Sequence, residues 1–228
     1  MIVDSGQLAE RVRRVLGTPS EWIHPGGYRD SLALCVIDSI QSIGVRYSSV
    51  QNVVGRYRDF RSRQGADPRT DGSPELLATF TEVGGAEAWA RAIGNQNRTS
   101  SRLAAPLKAS VIEQAAQLLC DREVKTTSDL LERASAEDSI RPVKDSWRNL
   151  SGQRSGISWR YLLILGGVDD VKPDRMIRGF LADQLPNGGE KLSADEAAEL
   201  VKQAATDLGV KASVLDHRIW LYQSGRLK

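Results

Sequence analysis

From Ser31 to Ile43 the chain is apolar nearly all the way round, through Leu32, Leu34, Cys35, Val36, Ile37, Ile40 and Ile43. A helix that is hydrophobic on every side has to be enclosed by other elements, so this segment predicts a central buried helix. The remaining apolar residues are spaced to enclose it with more helices. Leu8, Val12, Val15 and Leu16 recur at helical intervals in Gln7–Leu16, and Tyr47–Phe60 reads as a further helix. Ser73-Pro74 starts a helix with Leu76, Leu77 and Phe80 on one face, and Ala86–Ile93 is a short helix closed by Gly94. Another runs through Val111, Ile112, Ala115, Leu118 and Leu119, and Ser128 is a candidate cap for the helix carrying Leu130 and Leu131. Ser193 with Glu196 forms a capping-box pattern, Gly209 suits a helix exit, and a last amphipathic helix carries Val214, Leu215, Ile219, Trp220 and Leu221. No stretch alternates at strand period, so an all-α fold is expected, with short connections between antiparallel neighbours.

Bulk properties exclude several classes of function. With 40% hydrophobic and 26% charged residues, the 228-residue chain has the composition of a soluble globular protein. Its net charge of +2 creates no basic field over the whole molecule. Positive charge is instead local: Arg46, Arg56, Arg58, Arg61 and Arg63 are opposed only by Asp59, while acids gather near 190–200. The two cysteines, Cys35 and Cys120, read as buried free thiols of a reducing cytoplasm. With only His24 and His217 beside them they supply neither a four-cysteine cluster nor a zinc site, so no metal is expected. No apolar run follows Met1 and none reaches spanning length, which argues for a cytoplasmic protein without membrane contact.

The chemistry concentrates in Ser155-Gly156-Ile157-Ser158-Trp159-Arg160-Tyr161 and in Val171-Lys172-Pro173-Asp174-Arg175. The first is a glycine turn running into a short apolar helix. A Gly166-Gly167 break follows, then a helix that opens with Pro and Asp. Consecutive backbone N–H groups of such a turn, reinforced by a helix N-terminus, can hold a phosphate without reading sequence. A carboxylate at a helix mouth can stabilise developing positive charge and orient or deprotonate water. Taken singly, an Asp at a helix start is a common dipole partner and a glycine turn a common connection.

Together these segments resemble the helix-hairpin-helix (HhH-GPD) superfamily of DNA glycosylases, in their endonuclease III-like form. Three regions carry the resemblance in order: Val36–Tyr57 with Ser39-Ile40-Gln41-Ser42, Gly94–Leu119 with a polar turn before Lys108-Ala109, and the hairpin followed by Asp174. The resemblance implies two helical lobes with a DNA-binding cleft between them, one of 31–168 and one of 1–30 plus 169–228. It implies Asp174 as the catalytic carboxylate, and DNA contacts from Gln41, Arg46, Asn97, Arg98, Lys108, Arg154, Gly156, Ser158 and Arg160, with Arg102 beside them. Tyr47 and Trp159 are the candidates to hold a flipped base. Where the family has Leu-Pro-Gly-Val-Gly, this chain has Arg154-Ser155-Gly156-Ile157-Ser158, with Ser158 in place of the second glycine. Arg160 stands near the position of the lysine that forms a Schiff base in bifunctional members. Arginine is no amine nucleophile. Lys172, two residues before Asp174, is displaced from that position, and the cysteines of the family's iron–sulfur cluster are missing.

The expectation is a monomeric, cofactor-free, monofunctional glycosylase that removes a damaged or modified base from double-stranded DNA by water attack and leaves an abasic site. A non-catalytic helix-hairpin-helix DNA-binding protein is the alternative. A helical protein-interaction domain, in which Asp174 only starts a helix, is the third. The identity of the base, and whether the role is repair or defence against modified foreign DNA, are not written in these motifs.

Overall fold

Ser31 begins the helix around which the rest is built. Its Oγ accepts from the Leu34 N–H at 3.4 Å and donates to the carbonyls of Pro68 and Asp71 at 2.9 and 3.0 Å. The computed structural model describes residues 5–102, 104–185 and 192–227; Glu190, among the acids near 190–200, lies outside them. Twelve α-helices run in order: α1 (Ser5–Leu16), α2 (Leu32–Gln41), α3 (Tyr47–Arg63), α4 (Ser73–Val83), α5 (Ala86–Ala92), α6 (Lys108–Asp121), α7 (Thr127–Ala134), α8 (Glu137–Asn149), α9 (Ile157–Gly166), α10 (Arg175–Gln184), α11 (Ala194–Leu208) and α12 (Ala212–Gln223). Among the described residues there is no strand, only an isolated bridge between Arg98 and Leu107. The fold is all-α.

Contacts divide the chain into a middle unit, Gly27–Val168, and a split unit, Met1–Gly26 with Asp169–Lys228. In the middle unit every residue of α2 is buried, and α2 packs against α3, α4, α6 and α9. Trp89, Trp147, Trp159, Tyr57 and Phe80 are the largest side chains of this core. The polar atoms of Trp89, Trp147 and Tyr57 have partners, as burial demands. Trp89 Nε1 donates to Thr79 Oγ1 at 3.0 Å, and the Tyr57 hydroxyl donates to Asp71 at 2.8 Å. Arg61 pairs with the same Asp71 carboxylate at 2.7 Å. In the split unit α1 packs on α11 and α10 on α12, around an alanine-rich face of α11 (Ala197, Ala198, Ala204, Ala205).

Local signals and structure agree where capping chemistry is explicit. Ser193 and Glu196 exchange both capping-box bonds, and Gly209 exits α11 at φ +70°. They differ in three places. The cap of α7 is Thr126, paired with Asp129, rather than Ser128. Asp174 is the N-cap of α10 rather than a first-turn residue. Helix α8 has no counterpart in the sequence patterning, because its apolar stripe is only Ile140, Val143 and Trp147, and Pro142, usually a breaker, lies inside it.

Candidate functional site

The connection between α8 and α9 is a tight turn with two left-handed glycines, Gly152 at φ +78° and Gly156 at φ +74°. The turn between the two helices therefore begins at Leu150, earlier than the stretch Arg154–Ser158 singled out in the sequence. Ser158 is not in this turn. It lies inside α9, buried, where its Oγ accepts from Trp147 Nε1 at 3.0 Å and donates to Gln153 Oε1 at 2.5 Å. Gln153, also buried, donates back to the Ser151 carbonyl at 3.1 Å, so the inside of the hairpin is a closed polar network. The outside presents Ser151, Gly152, Arg154 and Ser155 to solvent.

A second loop lies against this hairpin. A Cβ added to Gly152 would sit 2.9 Å from the Thr99 Cβ, so only glycine allows the approach. The Asn95–Leu107 loop is braced internally: Asn97 N–H donates to Asn95 Oδ1 at 3.1 Å, Lys108 N–H to the Asn97 carbonyl at 2.8 Å, and Thr99 N–H to Pro106 at 3.0 Å. Arg98 and Arg102 are exposed on it, and Arg98 spends one N–H on the Ala105 carbonyl. Its base is tied to α2, because Asn95 Nδ2 donates to Gln41 Oε1 at 3.1 Å. The α2 end, the 95–107 loop and the glycine turn before α9 are thus joined within the middle unit, while Asp174 lies in the split unit.

Several sequence candidates turn out to be internal. Gln41 is fully buried, and its Nε2 meets no acceptor among the described residues. Lys108 is 2% exposed and donates from Nζ to the carbonyls of Gln41 and Ile43 at 2.9 and 2.5 Å, closing the C-terminal end of α2. It is not placed to neutralise a phosphate. Trp159 is buried against Trp147, with ring centroids 5.7 Å apart, and Tyr47 packs half-buried on the same core. Arg46 is exposed at the N-cap of α3, Arg154 is exposed on the hairpin, and Asn97 and Arg160 are half-buried. Of the arginines around 46–63, Arg56 binds the carbonyls at the end of α5 and Arg61 binds Asp71, so two of the five are used in building the fold.

Asp174 belongs to the split unit. Its Oδ1 accepts from the Met176 N–H at 2.8 Å, capping α10, while its Oδ2 lies 3.8 Å from the Lys172 ammonium. The side chain keeps 25% exposure. The turn that leads to it is gripped from below. Asp169 caps α12, accepting from Ala212 N–H, Ser213 N–H and Ser213 Oγ at 3.1, 2.9 and 2.8 Å. Burial works against the Asp169 charge, yet those hydrogen bonds hold its carboxyl below the usual range. Asp170 pairs with Lys202 of α11 at 2.7 Å. Asp216 Oδ1 accepts the Lys172 N–H at 2.8 Å. Burial, and then the negative charges of Asp174 and Asp170, push the Asp216 carboxyl up to about 7.

No local pattern marked Asp216 as part of this group. The sequence offered it His217 as a neighbour, but His217 stacks on Trp220 at 5.8 Å, and burial lowers its basicity. Among the described residues no cluster of His, Cys, Asp or Glu could hold a metal ion, and no helix is long and apolar enough to cross a membrane.

An all-helical chain with a glycine hairpin and an aspartate-capped helix defines the class that a family assignment has to fit. Residues 6–224 match the profile of a domain of unknown function, DUF8548, and the chain belongs to that family. Among curated proteins and among solved structures, none matches it.

Proposed function

We propose that the protein is a monofunctional DNA glycosylase of the helix-hairpin-helix type. What carries the reading is the convergence of separate chain segments on one loop pair: Gln41 bonds Asn95, the Asn95–Leu107 loop meets the hairpin through Thr99 and Gly152, and both loops expose arginine and hydroxyl groups. Phosphate contacts come from Arg98, Arg102 and Arg154, and from backbone N–H groups near Gly156 at the start of α9. The substrate is double-stranded DNA bearing a damaged or modified base. Departure of the base builds positive charge on the deoxyribose. Asp174, with one oxygen fixed by the Met176 N–H, uses the other to stabilise that charge and to orient water. The product is an abasic site. Arg160 supplies no amine at the position of the family's lysine, so the reading is of a monofunctional enzyme; Lys172, whose ammonium lies 3.8 Å from Asp174 Oδ2, is the amine that any Schiff-base cleavage would have to use.

The test is single-turnover base release on duplexes carrying oxidised, alkylated, mismatched and hypermodified bases, with alkali to reveal abasic sites. Release by the wild type and loss in Asp174→Asn supports the assignment. Release undiminished in that variant removes Asp174 from catalysis. A non-catalytic DNA-binding protein is the second reading, favoured by the burial of Gln41 and Trp159, which withdraws two residues from contact with a flipped base. It predicts salt-sensitive duplex binding with no base release on the whole panel.

A further inference from the structure

The Asp174 carboxylate is fixed at only one oxygen by its own helix, so its direction depends on the turn that precedes it. Within that turn, 169–174, the Asp174 N–H donates to the Lys172 carbonyl at 2.7 Å. The Lys172 N–H, at the middle of the turn, is held from 44 residues away by Asp216 on α12. A carboxylate is a stronger acceptor for that N–H than a carbonyl or a hydroxyl. It is also a costly group to place there, beside two other acids, if a neutral acceptor would have served.

The geometry points to Asp216 as a positioning residue of the Asp174 site: its bond to Lys172 N–H sets the turn that presents Asp174, and its charge is felt there. This inference rests on the glycosylase reading above for the reaction, and on the turn alone for the positioning. The charged groups that face Asp216 are Lys172, Asp174 and Asp170 of the turn, with Lys202 of α11 reaching the cluster through Asp170; its neighbour on α12 is His217. Because the Asp216 carboxyl titrates near 7, the turn carries one more negative charge above that pH than below it. Negative charge beside Asp174 favours a cationic sugar, so base release rises with pH through this step.

Two variants separate position from charge. Asp216→Asn keeps a carbonyl oxygen for the Lys172 N–H and removes the titration; Asp216→Ala removes both. The first readout needs no activity. In the wild type the Lys172 amide and the Asp174 carboxyl-carbon resonances shift together with a midpoint near pH 7, and in Asp216→Asn that shift is gone. The second is the pH profile of single-turnover base release. The wild type shows a step near pH 7, Asp216→Asn flattens it, and Asp216→Ala slows release about tenfold or more, as expected when a reacting group loses its alignment. A step and a rate unchanged in Asp216→Asn, or resonances of Lys172 and Asp174 that ignore the titration of Asp216, overturn the inference. Should the resonances respond while the wild type releases no base from any duplex, the glycosylase reading fails and the positioning of Asp174 by Asp216 stands. If Asp216→Ala does not fold, Asp216→Asn decides alone.

Discussion

Replacing Lys108 by methionine separates a structural lysine from a phosphate contact. Methionine keeps most of the buried stem and deletes the ammonium, which donates to the Gln41 and Ile43 carbonyls at 2.9 and 2.5 Å. Hydrogen bonds from a charged donor contribute about 1.5–3 kcal/mol each. Two of them, about 3–6 kcal/mol together, are set against the several kcal/mol that burying an ammonium costs, so part of the gross loss is offset when the charge goes. The two stranded carbonyls at the end of α2 then cost about 1–3 kcal/mol each wherever water does not reach them. The net expectation is a loss of about 3 kcal/mol, or a fall in melting temperature of about 6–12 °C for a chain of this size. Urea unfolding followed by tryptophan fluorescence reads this directly, since Trp89, Trp147 and Trp159 are buried in the core that α2 organises. DNA binding is the second assay. A phosphate-contacting lysine would lower the slope of log affinity against log salt by about one without affecting stability. The structure predicts the reverse. A stability loss below about 1 kcal/mol together with a reduced salt slope would refute the internal role of Lys108.

Other substitutions test neighbouring statements. Arg98→Ala and Arg154→Ala should each reduce the salt slope of duplex binding by about one and leave unfolding almost unchanged. Gly152→Ala and Gly156→Ala both place a side chain at positive φ, at about 1 kcal/mol each; only Gly152→Ala also meets Thr99, so it should be the worse of the two in urea unfolding, by about 1 kcal/mol or more. Ser158→Gly should destabilise by about 2 kcal/mol, because Trp147 Nε1 and Gln153 Oε1 lose their buried partner. For Asp216 the folded carboxyl titrates near 7 against about 3.9 when unfolded, so its contribution is complete below pH 4 and is lost as pH rises through 7. The full shift corresponds to a ceiling of about 4 kcal/mol, and screening by solvent at this partly exposed residue brings the expectation to about 1–2 kcal/mol. Asp216→Asn should therefore be more stable than the wild type above pH 7 and should lose that slope in denaturant midpoints measured from pH 4 to 8. The His217 contribution has the opposite sign and is common to both proteins.

What the sequence made legible was whatever is decided within one turn of helix. The enclosed character of α2, the capping box at Ser193 and the exit at Gly209 each follow from residues a few positions apart, and each is found as expected. Helix α8 escaped because its burial depends on three residues meeting a core that only the assembled unit provides. The site was legible in the same uneven way. Gly156 and Asp174 declare themselves locally, as a positive-φ turn and a helix cap. Lys108 and Gln41 looked polar and therefore exposed, yet each is drawn inward by a partner more than fifty residues distant. Ser158 looked like part of a turn, yet it lies inside α9, and the α8–α9 connection turns at Gly152 and Gly156.

Under the proposed function, the Asp174 turn shows why a cap is a reasonable place for a reacting carboxylate. A side chain that only capped α10 would need just the bond from Oδ1 to the Met176 N–H, and asparagine or serine would serve as well. Here the second oxygen is left beside Lys172, and three further carboxylates are spent within a few residues of chain or packing: Asp169 on α12, Asp170 on Lys202 and Asp216 on Lys172 N–H. Of these acids Asp216 costs stability at neutral pH, as its raised carboxyl records, whereas hydrogen bonds hold the Asp169 carboxyl low. A fold selected for stability alone gains nothing from the charge on Asp216. A turn that must hold a single carboxylate in one direction, in a field that favours positive charge in front of it, gains both.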